Sequence, residues 1–111
     1  MLGGKNKKII IYGAGALLEL INKYFGLSEL DIIGISDKRY SSHNENETYL
    51  GYKVYAPNEI AKANPDYVLV STINYIPIIE QLYFDTLKAT NIKIKPLFKK
   101  DFLTLVKEIW N

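Results

Sequence analysis

Residues 8–20, Lys-Ile-Ile-Ile-Tyr-Gly-Ala-Gly-Ala-Leu-Leu-Glu-Leu, constrain the fold more than any other stretch of this chain. Ile9, Ile10 and Ile11 form a β-branched run with no polar break. A half-exposed strand would alternate; an unbroken run suits a strand covered on both faces. Gly13 and Gly15 follow at once. Leu17, Leu18, Ile21, Tyr24 and Phe25 then recur at helical spacing. The stretch therefore reads strand, glycine turn, helix. That arrangement presents the backbone N–H groups of a helix N-terminus to a phosphate.

The rest of the chain repeats the alternation. Residues 31–36 are a second apolar run, closed by Asp37, Lys38 and Arg39. Residues 40–50 are polar and aperiodic and read as an exposed, mobile loop. Residues 52–55 predict a short third strand. Pro57 suits a first helical turn, and the helix carrying Ile60, Ala61 and Ala63 closes at Asn64 and Pro65. Residues 67–71 are a buried strand, followed by a helix over about 75–88 with Pro77 in its first turn. Residues 92–98 read as an edge strand, because Lys93 and Lys95 alternate with Ile92 and Ile94 and a proline follows. Phe102, Leu105, Val106, Ile109 and Trp110 predict a final amphipathic helix. Gly26 suits the left-handed end of the first helix.

Strands alternating with helices predict a three-layer α/β domain, an open and mostly parallel sheet of about five strands in the order 3-2-1-4-5. Its switch point falls between the first and fourth strands, beside Gly13–Gly15 and Ser71–Thr72. At 111 residues the chain reads as one domain, residues 1–111. A net charge of +2 with interspersed signs gives no nucleic-acid footprint, so a nucleic-acid partner is not expected. The chain contains no cysteine and one histidine, His43, which excludes thiolate metal sites and disulfides and leaves no zinc set. No leader or membrane span is recognised, so a cytoplasmic location is expected.

The candidate site gathers around the glycine turn. In the pattern G-x-G-x-x-G the first glycine makes the turn, the second admits the diphosphate and the third lets the helix pack on the strand. Gly13 and Gly15 fill the first two positions, and Leu18 stands at the third. Ala14, Ala16 and Leu17 complete the approach. Asp37, at the end of the second strand, is placed to accept ribose hydroxyls, although an aspartate there also initiates turns. Lys38 and Arg39 would suit a 2′-phosphate, but an unphosphorylated ribose is favoured. Ser71, Thr72 and Asn74 could touch ligand or cap a helix. The expected cofactor is NAD or another nucleotide. Tyr49 and Lys53 have the spacing of a tyrosine–lysine proton-transfer pair, but that pair needs one helix face. Along a strand the two would lie roughly 13 Å apart, so no catalytic set is recognised. Tyr24, Tyr67 and Tyr83 fit packing positions.

The runs Ile-Ile-Ile-Tyr-Gly-Ala-Gly, Ile-Ile-Gly-Ile-Ser-Asp-Lys, Gly-Tyr-Lys-Val-Tyr-Ala-Pro-Asn-Glu-Ile and Pro-Asp-Tyr-Val-Leu-Val-Ser together resemble the N-terminal Rossmann-like, CoA-binding-type domains of bacterial polysaccharide-biosynthesis dehydratase/epimerase proteins. The N-terminal domain of sugar O-acyltransferases and the C-terminal domain of sugar C-methyltransferases are similar. The resemblance covers residues 8–72. It implies a nucleotide or nucleotide-sugar ligand in surface-glycan synthesis, with Gly13, Ala14 and Gly15 near phosphate and Asp37 near ribose. The catalytic module, hexapeptide repeats and methyl-donor site of those families are missing from this chain. Three readings follow: a nucleotide-binding module for sugar metabolism, a fragment of an epimerase or dehydratase, or a regulatory or interaction domain with an empty pocket. A homo-oligomer or a larger parent protein is the expected setting.

Overall fold

The computed structural model describes residues 7–24, 26–27, 30–40 and 47–97. The helix expected over 101–110, His43 and Phe25 lie outside them.

The isoleucine run becomes β1 (Lys8–Tyr12), and Ile9, Ile10 and Ile11 are all buried. The chain continues through α1 (Ala16–Tyr24), β2 (Asp31–Ser36), β3 (Thr48–Tyr49) and β4 (Tyr52–Tyr55). A 3₁₀ turn (Pro57–Glu59) leads into α2 (Ile60–Ala63), then β5 (Tyr67–Val70), α3 (Tyr75–Leu82), a π turn (Tyr83–Leu87) and β6 (Lys93–Pro96). The sheet has six strands in the order β3-β4-β2-β1-β5-β6. All neighbours are parallel except β3 and β4. The domain is a mostly parallel α/β sheet, as the alternation of elements requires. The order differs from the expected five strands by one addition, β3 at the edge.

That addition corrects the loop expected over 40–50. Thr48 and Tyr49 pair with Lys53 and Tyr52, closing a two-residue hairpin at Leu50 and Gly51. Both turn residues have positive φ, 54° and 84°, which this tight hairpin demands. Leucine at the first of these positions hides a signal normally carried by asparagine or glycine. The hairpin also shows that Tyr49 and Lys53 lie on two strands.

The sheet divides the core in two. Ile9, Ile11, Leu18, Ile21, Ile35, Val54 and Leu69 pack on the α1 side. Ile10, Tyr12, Ile60, Val68, Val70, Leu82 and Leu87 pack on the other. Leu18, at the third position of the glycine pattern, is therefore a core residue: the helix rests on the sheet through a leucine rather than a glycine. Tyr24 and Tyr83, expected to pack, are exposed at 55% and 45%. Tyr24 falls in the last turn of α1, beyond the edge of the sheet's cover, and lies under the Lys23 ammonium. Tyr12 and Tyr40 are the buried tyrosines instead. Gly26 ends α1 as expected, with φ 72° and its N–H donated to the Ile21 carbonyl at 3.0 Å.

Gly34 has a role the sequence pattern does not announce. The β1–β2 register slips between Ile9 and Ile10, leaving Ile33 as the extra residue of a bulge. A Cβ on the neighbouring Gly34 would enter the Tyr55 ring and stand 2.9 Å from the Lys53 carbonyl. Gly34→Ala is expected to destabilise the domain by about 1–3 kcal/mol through overpacking. The double variant Gly34→Ala/Tyr55→Ala should lose less than the sum of the single losses, because the ring that clashes is gone. Urea melts of the four proteins check this; strict additivity would refute the contact.

Candidate functional site

The ends of β1 and β5 and the start of α1 enclose a cavity of about 350 Å³. Gly13, Ala14, Gly15, Ala16, Leu17 and Leu18 form one wall, and Asp37, Ser71, Thr72 and Ile73 the other. The structure thus brings together eight of the nine site residues expected from sequence. Lys38 is the exception. It lines a separate cleft on the opposite face of the sheet, because the strand alternation that aims Asp37 at the glycine turn sends its neighbour away.

The two glycines differ in kind. Gly13 has φ 116°, and a Cβ on it would stand 2.5 Å from the Ser71 hydroxyl oxygen. The fold itself requires glycine there. A Cβ on Gly15 would meet no protein atom within 4 Å, and Gly15 has no positive φ. Nothing in the polypeptide requires glycine at this position. Its missing side chain keeps open the space beside the first turn of α1. Gly15 also has no side chain with which to cap that turn, so its N–H groups face the cavity without a side-chain acceptor from this position.

Two side chains fix the turn. The Asp37 carboxylate accepts the Ala14 N–H at 2.7 Å through one oxygen and the Arg39 N–H at 3.1 Å through the other. The second bond is a local aspartate turn; the first ties β2 to the glycine loop. A carboxylate has about four acceptor positions, so two remain for ribose hydroxyls. The Ser71 hydroxyl donates to the Gly13 carbonyl at 2.6 Å, with the Tyr12 carbonyl at 3.3 Å. This corrects both roles expected for Ser71. It neither caps α3 nor offers its proton to a ligand; it holds the turn. Asn74 stands at the N-cap of α3 but makes no side-chain capping bond. Thr72 lines the cavity with no hydrogen bond among the described residues.

Tyr49, from the unexpected hairpin, closes one side. Its hydroxyl donates to the Glu19 carboxylate at 2.6 Å and lies 3.5 Å from the Gly15 carbonyl. Burial first, and then the Glu19 contact, push its pKa up to about 12. Arg39 lies over the rings of Tyr40 and Tyr49, at 5.1 and 5.3 Å from their centres, and donates to the Tyr40 hydroxyl. The Tyr40 bond raises the Arg39 pKa further. Arg39 is thus held against aromatic faces, not extended toward the turn. Burial, and then the Asp37 charge, raise the Tyr12 pKa, keeping its phenol protonated at neutral pH. Among the described residues no group of three His, Asp or Glu gathers as a metal site. No helix among them is long and apolar enough to cross a membrane.

A parallel sheet with a glycine turn and helix N-terminus at its switch point defines a Rossmann-like domain. The chain belongs to the C2185-like N-terminal domain family, whose model matches residues 5–95. No curated protein matches it significantly. Among solved structures it is similar to RSP, a Rex-family repressor, with 18% identity and a TM-score of 0.52 over 96% of this chain. The chain spans 60% of that repressor chain. At this identity the likeness establishes the fold.

These findings overturn the surface-polysaccharide reading. The matching family is not one of the sugar-enzyme families the motifs resemble, and the structural relative is a repressor. The nucleotide-sugar, epimerase and dehydratase expectations fall with it. The resemblance rested on Gly-Ala-Gly and the acid after the second strand. Those residues answer the generic demands of a phosphate and a ribose, and carry no mark of a sugar. The expectation of no nucleic-acid partner is corrected as well, since the relative is a repressor. Net charge over a whole domain was too coarse a ground for excluding one.

Proposed function

We propose that this chain is the ligand-sensing domain of a regulatory protein and takes an NAD-type dinucleotide at its glycine turn. Residues 1–111 form one such domain in this reading. The observation that carries it is Gly15, a glycine that neither packing nor backbone conformation requires, set at the mouth of an uncapped helix. The first turn of α1 supplies N–H groups for the diphosphate. Asp37 supplies its two remaining acceptor positions for the adenosine ribose. Arg39, engaged with Tyr40 and Tyr49, leaves that ribose without a cation for a 2′-phosphate, which favours NAD over NADP. The cavity encloses the diphosphate and its ribose; the two ends of the ligand would lie along the open sheet edge. The repressor relative supports the regulatory half of the reading by analogy of fold alone.

Calorimetric titration with NAD⁺, NADH, NADP⁺ and ADP tests it. Micromolar binding, about −8 kcal/mol, is expected for an NAD form. Gly15→Trp should abolish it while leaving the melting temperature in place, because the indole enters open space. Asp37→Ala should weaken binding about tenfold or more. A folded chain that takes up none of these nucleotides would refute the proposal.

A further inference from the structure

A second cleft, of about 270 Å³, lies on the other face of the sheet between the 3₁₀ turn before α2 and the end of α3. At roughly 30 Å³ per water it has room for about nine non-hydrogen atoms, far fewer than a nucleotide has. Its walls are unusual in their polar chemistry. Lys38 and Asp85 both line it, yet they do not close an ion pair, and neither has another partner among the described residues. Asn58 and Gln81 add two amides, and Leu82 a buried apolar wall. Asp85 belongs to the π turn, whose wider loop sets it on the cleft while Leu87 stays in the core. Such turns often mark functional sites.

The independent sign of a ligand is Tyr12. It is 8% exposed, it lines this cleft, and its hydroxyl has no hydrogen-bond partner among the described residues. Ser36, its register neighbour in β2, has a fully buried hydroxyl that is also unpartnered there. Buried polar groups are normally satisfied, so this end of the sheet carries hydrogen-bonding capacity the described protein does not use.

We propose that this cleft binds a small zwitterion, a free α-amino acid of about nine non-hydrogen atoms, with its carboxylate on Lys38 and Tyr12 and its ammonium on Asp85. A ligand carrying both charges satisfies the separated lysine and aspartate at once. A simple anion or cation would leave one of them facing a like charge or nothing. Asn58 and Gln81 then read the side chain against the Leu82 wall. The cleft is separate from the glycine-turn cavity, so the proposal stands whether or not a dinucleotide binds there.

The test is a thermal-shift screen of the purified chain against the twenty proteinogenic amino acids, followed by calorimetry of the best responder. At least one is expected to bind. Asp85→Asn and Lys38→Met should each weaken it at least tenfold, and Tyr12→Phe, which removes only a hydroxyl, severalfold. The corresponding α-hydroxy acid and methyl ester should each lose at least tenfold, because each lacks one charge. NAD titration of Asp85→Asn gives the same affinity as the parent chain, or the same absence of binding, which separates this result from the fate of the dinucleotide reading. No response to any amino acid overturns the proposal. So does binding that is unchanged in Asp85→Asn, or equally tight for the hydroxy acid.

Discussion

Gly13→Ala lowers the melting temperature of the domain by about 12–24 °C, a loss of about 3 kcal/mol. Two costs combine at this position. The φ of 116° is one that L side chains rarely adopt, and the added Cβ would stand 2.5 Å from the Ser71 hydroxyl oxygen. That hydroxyl cannot simply rotate away, because it holds the Gly13 carbonyl at 2.6 Å. Displacing it leaves a carbonyl of the turn without its partner. Gly15→Ala is the control, and its melting temperature should stay level or rise by a few degrees, since alanine restricts the unfolded chain and meets nothing in the folded one. Calorimetric melts of the two variants separate a glycine the fold requires from one it does not. Equal losses at both positions would refute the distinction on which the ligand site rests.

Ile11→Ala removes about 2–5 kcal/mol, enough to consume a large part of a small domain's stability. Ile11 is fully buried at the centre of the sheet, between β2 and β5 in register with Ile35 and Leu69. Three strands fix the backbone around it, so the space left by the side chain cannot collapse. Ile11→Val, which removes one methylene, should cost about 0.5–1.5 kcal/mol. Chemical denaturation of the two variants gives the ratio. A loss under 1 kcal/mol for the alanine variant would mean that the α1 side of the core repacks freely.

The site was legible where chemistry is local. Gly13, Ala14, Gly15, Ala16 and Leu17 are consecutive, so placing the turn places them all. Asp37 follows its strand directly, and strand order carries it to the turn. Lys38 was misplaced because adjacent residues at a strand's end face opposite sides. The sequence records their adjacency and not the turn that sorts them. Tyr49 was missed for a different reason. It belongs to a hairpin whose turn uses Leu50 where a glycine or asparagine would have announced it. Its partner Glu19 is thirty residues away in the chain.

The sequence by itself determined the alternation of strand and helix, the burial of β1 and the exposed edge at β6. These follow from periodicity, which any one segment carries alone. Only the tertiary structure decided which faces meet. It assigned Leu18 to the core, turned Tyr24 outward, and required Gly34 so that the Tyr55 ring could cross β2. It engaged Ser71 with the glycine turn and set Lys38, Asp85 and Tyr12 around one cleft from three distant parts of the chain. Those outcomes depend on contacts between segments, and no pattern within one segment encodes what it will be packed against.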